Sequence, residues 1–296
     1  MDRARPDLRP DPSLSRAEME DLQREIAAAA TFDDDHALDP AAVAVDEAPS
    51  LADGLPPARD GPQERLGTGS GAGDDHDPEA GAGDDHDPDA PVVVGIDQAF
   101  LTDRGDAPDA AVSAAVAFRD GDVIEYASAT TPLSIPYVPG LLAFREGDPI
   151  LAALDALAAD PDLLICDGSG RIHFREAGLA THVGVLRDAP SVGVAKNLLC
   201  GEPDEPTEER PEGWRTPVRA DGAVTTAEPG TAIGHAFQSR QYPTSKRVNP
   251  LYVSPGHRVS AETAVDLVAA LCAGYKLPEP TRFADAHADA AKRDAD

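Results

Sequence analysis

Apolar and polar positions fall into blocks with recognisable periods along the chain. Ser15-Arg-Ala-Glu18 has the capping-box pattern, and Ala17, Met19, Leu22, Ile26 and Ala29 recur at helical spacing behind it, which predicts a helix over roughly residues 14 to 30. Val92-Val-Val-Gly-Ile96 is an unbroken apolar run of the kind that forms a buried strand, and it ends in Asp97. Ala111 to Phe118 and Val123 to Ala127 flank Asp120-Gly121, a pair that permits the positive φ angles of a two-residue hairpin turn, so three antiparallel strands in a row are expected. Asp148-Pro149 reads as a helix cap followed by proline at the first helical position, with Ile150, Leu151, Leu154 and Leu157 on one face after it.

Leu163 to Cys166 is a second buried strand, ending in Asp167. An amphipathic segment at about 177 to 187 leads to a third, Ser191 to Ala195, ending in Lys196. Ile233 to Phe237 and Leu251 to Val253 read as a further strand pair. Ser260 caps a last helix over Ala261 to Ala273, which Gly274 closes. Strands feeding helices behind an antiparallel group predict an α/β fold built on a mixed sheet flanked by helices.

Other stretches lack a period. Residues 32 to 90 are rich in Asp, Ala, Gly and Pro and are expected to form a disordered acidic insert. Within it GAGDDHDPEA at 71 to 80 is followed at once by GAGDDHDPDA at 81 to 90. A metal trap using His76 and His86 is one reading, and a duplicated, self-repelling linker is the other. Residues 202 to 230 are acidic and proline-rich, as a surface loop would be. The expected organisation is an N-terminal helix packed on the core (1–31), the insert (32–90), one folded domain (91–285) and an acidic C-terminal tail (286–296).

Composition narrows the classes. No stretch approaches the roughly 18 consecutive apolar residues of a membrane span. The three cysteines, Cys166, Cys200 and Cys272, are far apart and form neither a close metal-binding pair nor a disulfide framework. With no apolar segment near residue 1 resembling a secretory signal, a reducing cytoplasm is the expected location. The 296 residues carry a net charge of −29, and only four lysines stand against 21 arginines. This pattern resembles proteins of salt-loving organisms. Taken alone it argues against a nucleic-acid partner. In molar salt, however, the Debye length falls to about 3 Å and the argument loses force.

Candidate chemistry sits at the strand ends. Asp97 and Asp167 each close a buried apolar run, and Glu146 lies in Phe144-Arg-Glu-Gly just ahead of the expected helix. If neighbouring strands end together, the carboxylates face one another at the sheet rim, where a hard divalent cation would relieve their repulsion. The alternative is that each aspartate caps a turn. Ile135-Pro-Tyr-Val-Pro-Gly140 brackets Tyr137 with two prolines. That is either a rigid wedge able to enter a base stack or a proline-rich turn around a half-buried tyrosine.

PYVPGLLAFRE at 136 to 146 and DGSGRIHFREAGLATHVGVLRDAPSVGVAKNLLCG at 167 to 201 closely resemble the two signature blocks of the endonuclease V family. VVVGIDQAF at 92 to 100 and NPLYVSPGHRVSAETAVDLVAALCAGYKLPEPTR at 249 to 282 resemble it in the same order. The resemblance implies an RNase H-like fold and Mg2+-dependent hydrolysis, with Mn2+ as a possible substitute, of the second phosphodiester bond 3′ to deoxyinosine. It puts the metal carboxylates at Asp97, Glu146 and Asp167, the wedge at Pro136, Tyr137, Val138 and Pro139, and the pocket for the flipped base at Gly140, Leu142 and Gly168. Lys196 falls on the family's active-site lysine, and His173 and His257 on positions near the site, where His257 would touch metal-bound water or phosphate.

The departure is Phe174-Arg175-Glu176, where the family has proline and then basic residues; it removes a positive charge near the expected nucleic-acid path. The implied partner is damaged DNA containing deoxyinosine, bound by a monomer with no membrane and no obligate protein partner. Inosine-containing RNA, or damaged nucleic acid bound without cleavage, are the alternatives.

Overall fold

The computed structural model describes residues 5–59, 87, 89–102, 105, 108–135, 138 and 140–295. Its centre is a nine-stranded sheet of order β3-β2-β1-β4-β5-β9-β8-β7-β6. The strands β1 (Val92–Leu101), β2 (Ala110–Arg119) and β3 (Asp122–Pro132) form the expected antiparallel group. Asp120 and Gly121 take φ of 52° and 81° at its hairpin, the mirror-image turn that matches strand twist. Next come β4 (Leu163–Asp167), parallel to β1, and β5 (Ser191–Ala195), parallel to β4. Order 3-2-1-4-5 with this mixture of directions is the RNase H-like core. Antiparallel β6 (Glu202–Pro203), β7 (Arg215–Arg219), β8 (Ala232–Phe237) and β9 (Leu251–His257) extend it.

Both faces are covered, because alternate residues of the central strands are apolar on either side. Val94, Ile96, Leu164 and Cys166 pack on α2 (Leu142–Asp155) and α3 (Leu179–Arg187). Val93, Ile165, Val192 and Val194 pack on α4 (Ala261–Ala270). On that second face α5 (Glu279–Ala295) lies over β1 and β2, with Phe283 edge-on to Phe118 at 5.2 Å between ring centroids. The approach is close: a Cβ on Gly95 would lie 2.0 Å from the carbonyl oxygen of Pro280. The N-terminal helix α1 (Arg16–Ala29) has the predicted capping box and packs Ile26 against α3.

Four expectations are corrected. Helix α2 does not begin at Pro149 but at Leu142, with Pro149 inside it. The apolar stripe runs upstream through Ala143, Phe144 and Gly147, and its burial outweighs the lost hydrogen bond that makes an internal proline costly. Glu146 therefore stands within the helix. Residues 202 to 230 are not all loop, since β6 and β7 lie there, with Val218 fully buried.

The insert expected over 32 to 90 is ordered from 32 to 59. Leu38, Val43 and Val45 pack beside α4, Leu51 and Leu55 beside α5, and the Arg59 amide donates to the Val123 carbonyl at 2.8 Å. These isolated apolar residues each fill a crevice without making a periodic pattern. The tandem repeat, apart from Asp87, Asp89 and Ala90, lies outside the described residues. Finally, residues 286–295 are not a tail. They continue α5, a second helix after α4, and seat Ala288 in the core and Ala291 and Ala295 against Leu101.

Candidate active site

Strand register brings two of the predicted acids together. Ile96 lies opposite Cys166 in the parallel β1–β4 pair, so the next residues, Asp97 and Asp167, are side by side on strands roughly 4.8 Å apart. Glu146, one turn into α2, lines the same cavity, which has a volume of about 200 Å³ and an apolar floor of Ile96, Ile150 and Leu179. A larger groove of about 700 Å³ lies along α1, lined in part by Asp148 of α2, and contains none of the predicted site residues.

The electrostatics of the small cavity are strained. Burial, and then the charge of Asp167, push the Asp97 carboxyl up to about 8, although the Gln98 amide donates to its Oδ1 at 2.7 Å. Burial raises Glu146 to about 7, with Arg145 opposing and Asp167 adding to the shift. Lys196 follows β5 and places Nζ 2.7 Å from Asp167 Oδ2. Burial opposes its charge, but the bond to Asp167 prevails and holds its pKa above the ordinary lysine value. Among the described residues no three His, Cys, Asp or Glu side chains form a ready-made metal cluster. Asp97 and Asp167 instead direct oxygens to the Gln98 amide and to Lys196. The donor set is nonetheless all oxygen, and its mutual repulsion is the kind a hard divalent cation neutralises.

Two residues of this site escaped the sequence reading. Asp285 on α5 reaches Asp97, adding a hydrogen bond and a charge that both raise its pKa; no motif in the sequence marks it. Gln98 links three elements, for its Nε2 donates to Ser113 Oγ of β2 at 2.7 Å and to the Glu146 carbonyl of α2 at 3.1 Å. An amide next to the acid is not a signal that sequence alone could have ranked.

The other predicted positions divide into two groups. Gly140, with φ of 77°, is locked from below: Gln23 Nε2 and Arg175 Nη2 donate to its carbonyl at 3.0 and 3.3 Å, and a Cβ there would meet the Phe174 ring at 3.5 Å. His173 is buried beside this loop, its Nδ1 accepting from the Arg175 amide at 3.2 Å, and burial lowers it to about 4. Leu142 opens α2 and is half-buried, and Gly168 follows Asp167 and packs against Leu179. Val138 is half-buried against a cluster containing Leu141 and Phe144. Pro136, Tyr137 and Pro139 lie outside the described residues. Glu176, the departure noted above, is taken up internally by Arg171 at 2.7 Å.

His257 is a correction. It pairs with Ser191 at the start of β5, four residues and so roughly 13 Å from the end that carries the acids. Its Nδ1 accepts from the Thr31 amide at 3.1 Å and its Nε2 faces Asp188 at 3.3 Å. It fastens β9 to the segment after α1, and it has no place at the cavity.

Comparison with known proteins agrees with this arrangement. The endonuclease V family model matches residues 80–286. An endonuclease V of Natronomonas pharaonis is 53% identical over 289 residues, covering 98% of this chain and 96% of its own. The crystal structure of endonuclease V from Streptomyces avermitilis is similar with a TM-score of 0.65 and 31% identity, over 97% of this chain and 98% of that one. A Ciona intestinalis endonuclease V, solved with a 24mer DNA containing an inosine followed by a ribo-adenosine, shares the fold with a TM-score of 0.62 and 22% identity, over 95% of this chain and 98% of that one. With a family model matching most of the folded residues and relatives similar along nearly the whole chain, the protein belongs to the endonuclease V family, metal-dependent phosphodiester hydrolases that cleave at deoxyinosine.

Proposed function

We propose that the protein hydrolyses the second phosphodiester bond 3′ to a deoxyinosine, with Mg2+ held by Asp97, Glu146 and Asp167, and Mn2+ able to replace it. One observation carries the assignment of roles: three carboxylates far apart in sequence line one small cavity at the sheet rim, and two of them are pushed up to about 8 and about 7. A bound divalent cation supplies charge neutralisation for the phosphate and leaving oxygen, and lowers the pKa of attacking water.

The chain's own groups do the remainder. Lys196, whose Nζ lies 2.7 Å from Asp167 Oδ2, is placed to hold the scissile phosphate or orient water. Gly140, Leu142 and Gly168 are assigned to the extruded purine, and His173, neutral and buried, supports the Gly140 loop. Tyr137, between its prolines, fills the space that base vacates. The Ciona complex with inosine-containing DNA supports the choice of lesion.

The test is nicking of a labelled duplex with one inosine, with Mg2+, Mn2+ or chelator, read as product length. Asp97→Asn and Asp167→Asn are expected to lose at least about a thousandfold in rate while still binding the lesion. Cleavage at the parent rate by either variant overturns the metal role.

A further inference from the structure

Residues 229 to 261 are the longest stretch of this chain without a carboxylate, 33 positions in a protein where 54 acids come on average every five or six. The connection between β8 and β9 within it carries Arg240, Lys246 and Arg247. Among the described residues the large hydrophobic side chains Leu199 (42% exposed), Tyr242 (49%) and Tyr275 (40%) stand out into solvent, and two of them, Tyr242 and Tyr275, flank this connection. Lys246 lies in the connection itself and Lys276 follows Tyr275, so two of the four lysines belong to this surface.

The parts are fixed to one another. The Arg240 guanidinium carbon lies 5.5 Å from the Tyr242 ring centroid and 5.7 Å from that of Tyr275. Tyr275 is backed by Arg282 at 4.1 Å, and Arg282 is itself anchored on Glu279 at 2.8 Å and on the Pro49 carbonyl at 2.6 Å. Ser239 Oγ donates to the Lys276 carbonyl at 2.6 Å, tying the β8–β9 connection to the segment between α4 and α5. Lys276 lies within reach of the charge of Lys196, whose Nζ donates to Asp167 Oδ2 at 2.7 Å at the acid cavity.

We propose that Tyr242 and Tyr275, with Arg240 between them and Lys246, Arg247 and Lys276 beside them, form a platform on which bases of the nucleic acid strand stack as it passes to the acid cavity. This rests on the nuclease reading of that cavity. Two partly exposed aromatic rings braced by arginines suit any base, because every base has a π-face, while the cations track phosphate. The division of labour fits a chain of this charge. In the concentrated salt to which its composition is suited, phosphate contacts lose most of their affinity to screening, whereas stacking acts at contact and persists.

The experiment measures binding of a fluorescent inosine-containing single strand and duplex by the full chain in chelator, from 0.1 to about 2 M KCl, with nicking of the same oligonucleotides in Mg2+ run alongside. Tyr242→Ala and Tyr275→Ala are expected to weaken binding about tenfold each at every salt concentration, with Tyr242→Phe and Tyr275→Phe close to the parent. Lys246→Ala/Arg247→Ala is expected to weaken it at low salt only and to flatten the salt dependence by roughly one to two units of slope. Arg219→Ala, on exposed β7, serves as the control. Alanine variants that bind like the parent, or phenylalanine variants as weak as alanine, overturn the platform even while the parent nicks at inosine. A parent that binds but nicks nothing in Mg2+ or Mn2+ removes the nuclease reading instead, and the platform's link to catalysis with it.

Discussion

Replacing Gly95 with alanine puts a methyl group where the backbone of Pro280 already stands. The nearest atoms are the carbonyl oxygen at 2.0 Å, its carbon at 2.1 Å and Cα at 2.8 Å, against an ordinary contact of 3.4 Å or more. Backbone cannot rotate aside as a side chain can, so the first turn of α5 must retreat by more than about 1 Å. Overpacking of this kind costs about 1 to 3 kcal/mol, and the absence of a flexible neighbour puts Gly95→Ala at the upper end. For a protein of this size that is a fall of about 6 to 12 °C in Tm.

The displacement also carries Asp285 away from Asp97, and a 1 Å misplacement at a reacting centre costs on the order of a hundredfold in rate. Thermal unfolding by circular dichroism and single-turnover nicking of an inosine-containing duplex measure the two effects. Gly222→Ala, where nothing lies within 4 Å of the added carbon, is expected to change neither. A Gly95→Ala protein that melts within about 1 °C of the parent would refute the packing of α5 on β1 and the route by which Asp285 reaches the site.

Other outcomes follow from the same structure. His182 and His173 are held neutral by burial and lowered to about 4 from 6.5, so the unfolded chain binds more protons between those values. Stability should be fully present above pH 6.5 and fall as pH drops towards 4, by about 3 kcal/mol per histidine at the limit; a His182→Leu protein should lose visibly less in urea titrations over that range, and an unchanged profile would contradict it. Gln98→Leu removes the links from β1 to Ser113 and to the Glu146 carbonyl. It is expected to lower kcat by about tenfold or more and to leave Tm within a few degrees, and a change in KM alone would show that the link does not position Glu146.

The legible part of this molecule was the part where one residue type repeats at one period. Strands β4, β5 and the first half of β1 are apolar runs, and the acids that follow those runs in β1 and β4 mark the site; Asp167 does end its strand, whereas β1 continues through Asp97 to Leu101, paired with β2 beyond the reach of β4. Glu146 was assigned to the site but to the wrong element, because Asp148-Pro149 carries a strong local start signal that the buried stripe through Ala143 and Phe144 overrides. Helix α5 hid because its inner face is mostly alanine, which contributes little to any periodicity, so its one bulky anchor, Phe283, looked isolated and Asp285 went unnoticed. The segment from 32 to 59 carries apolar residues too sparse to distinguish it from a disordered insert; what orders it is its packing of Leu38, Val43, Val45, Leu51 and Leu55 on the core, a property of the partner surface rather than of the segment. His257 shows the reverse error, a chemically plausible side chain put at the cavity by resemblance, which strand direction places at the far end of β5.

The two rims of the sheet have a consequence for life in solution. At one rim β6 stops after two residues, Pro203 has no amide hydrogen to offer, and Asp204 is paired with Arg219 and donates its amide to Pro217. At the other rim the Arg59 amide occupies the Val123 carbonyl, the Pro56 carbonyl takes the Tyr126 hydroxyl, and Glu125 folds over to the amides of Ala158 and Ala159. At each margin, then, part of the edge is already taken by the chain itself, which shortens the row of backbone groups that could template a neighbouring molecule.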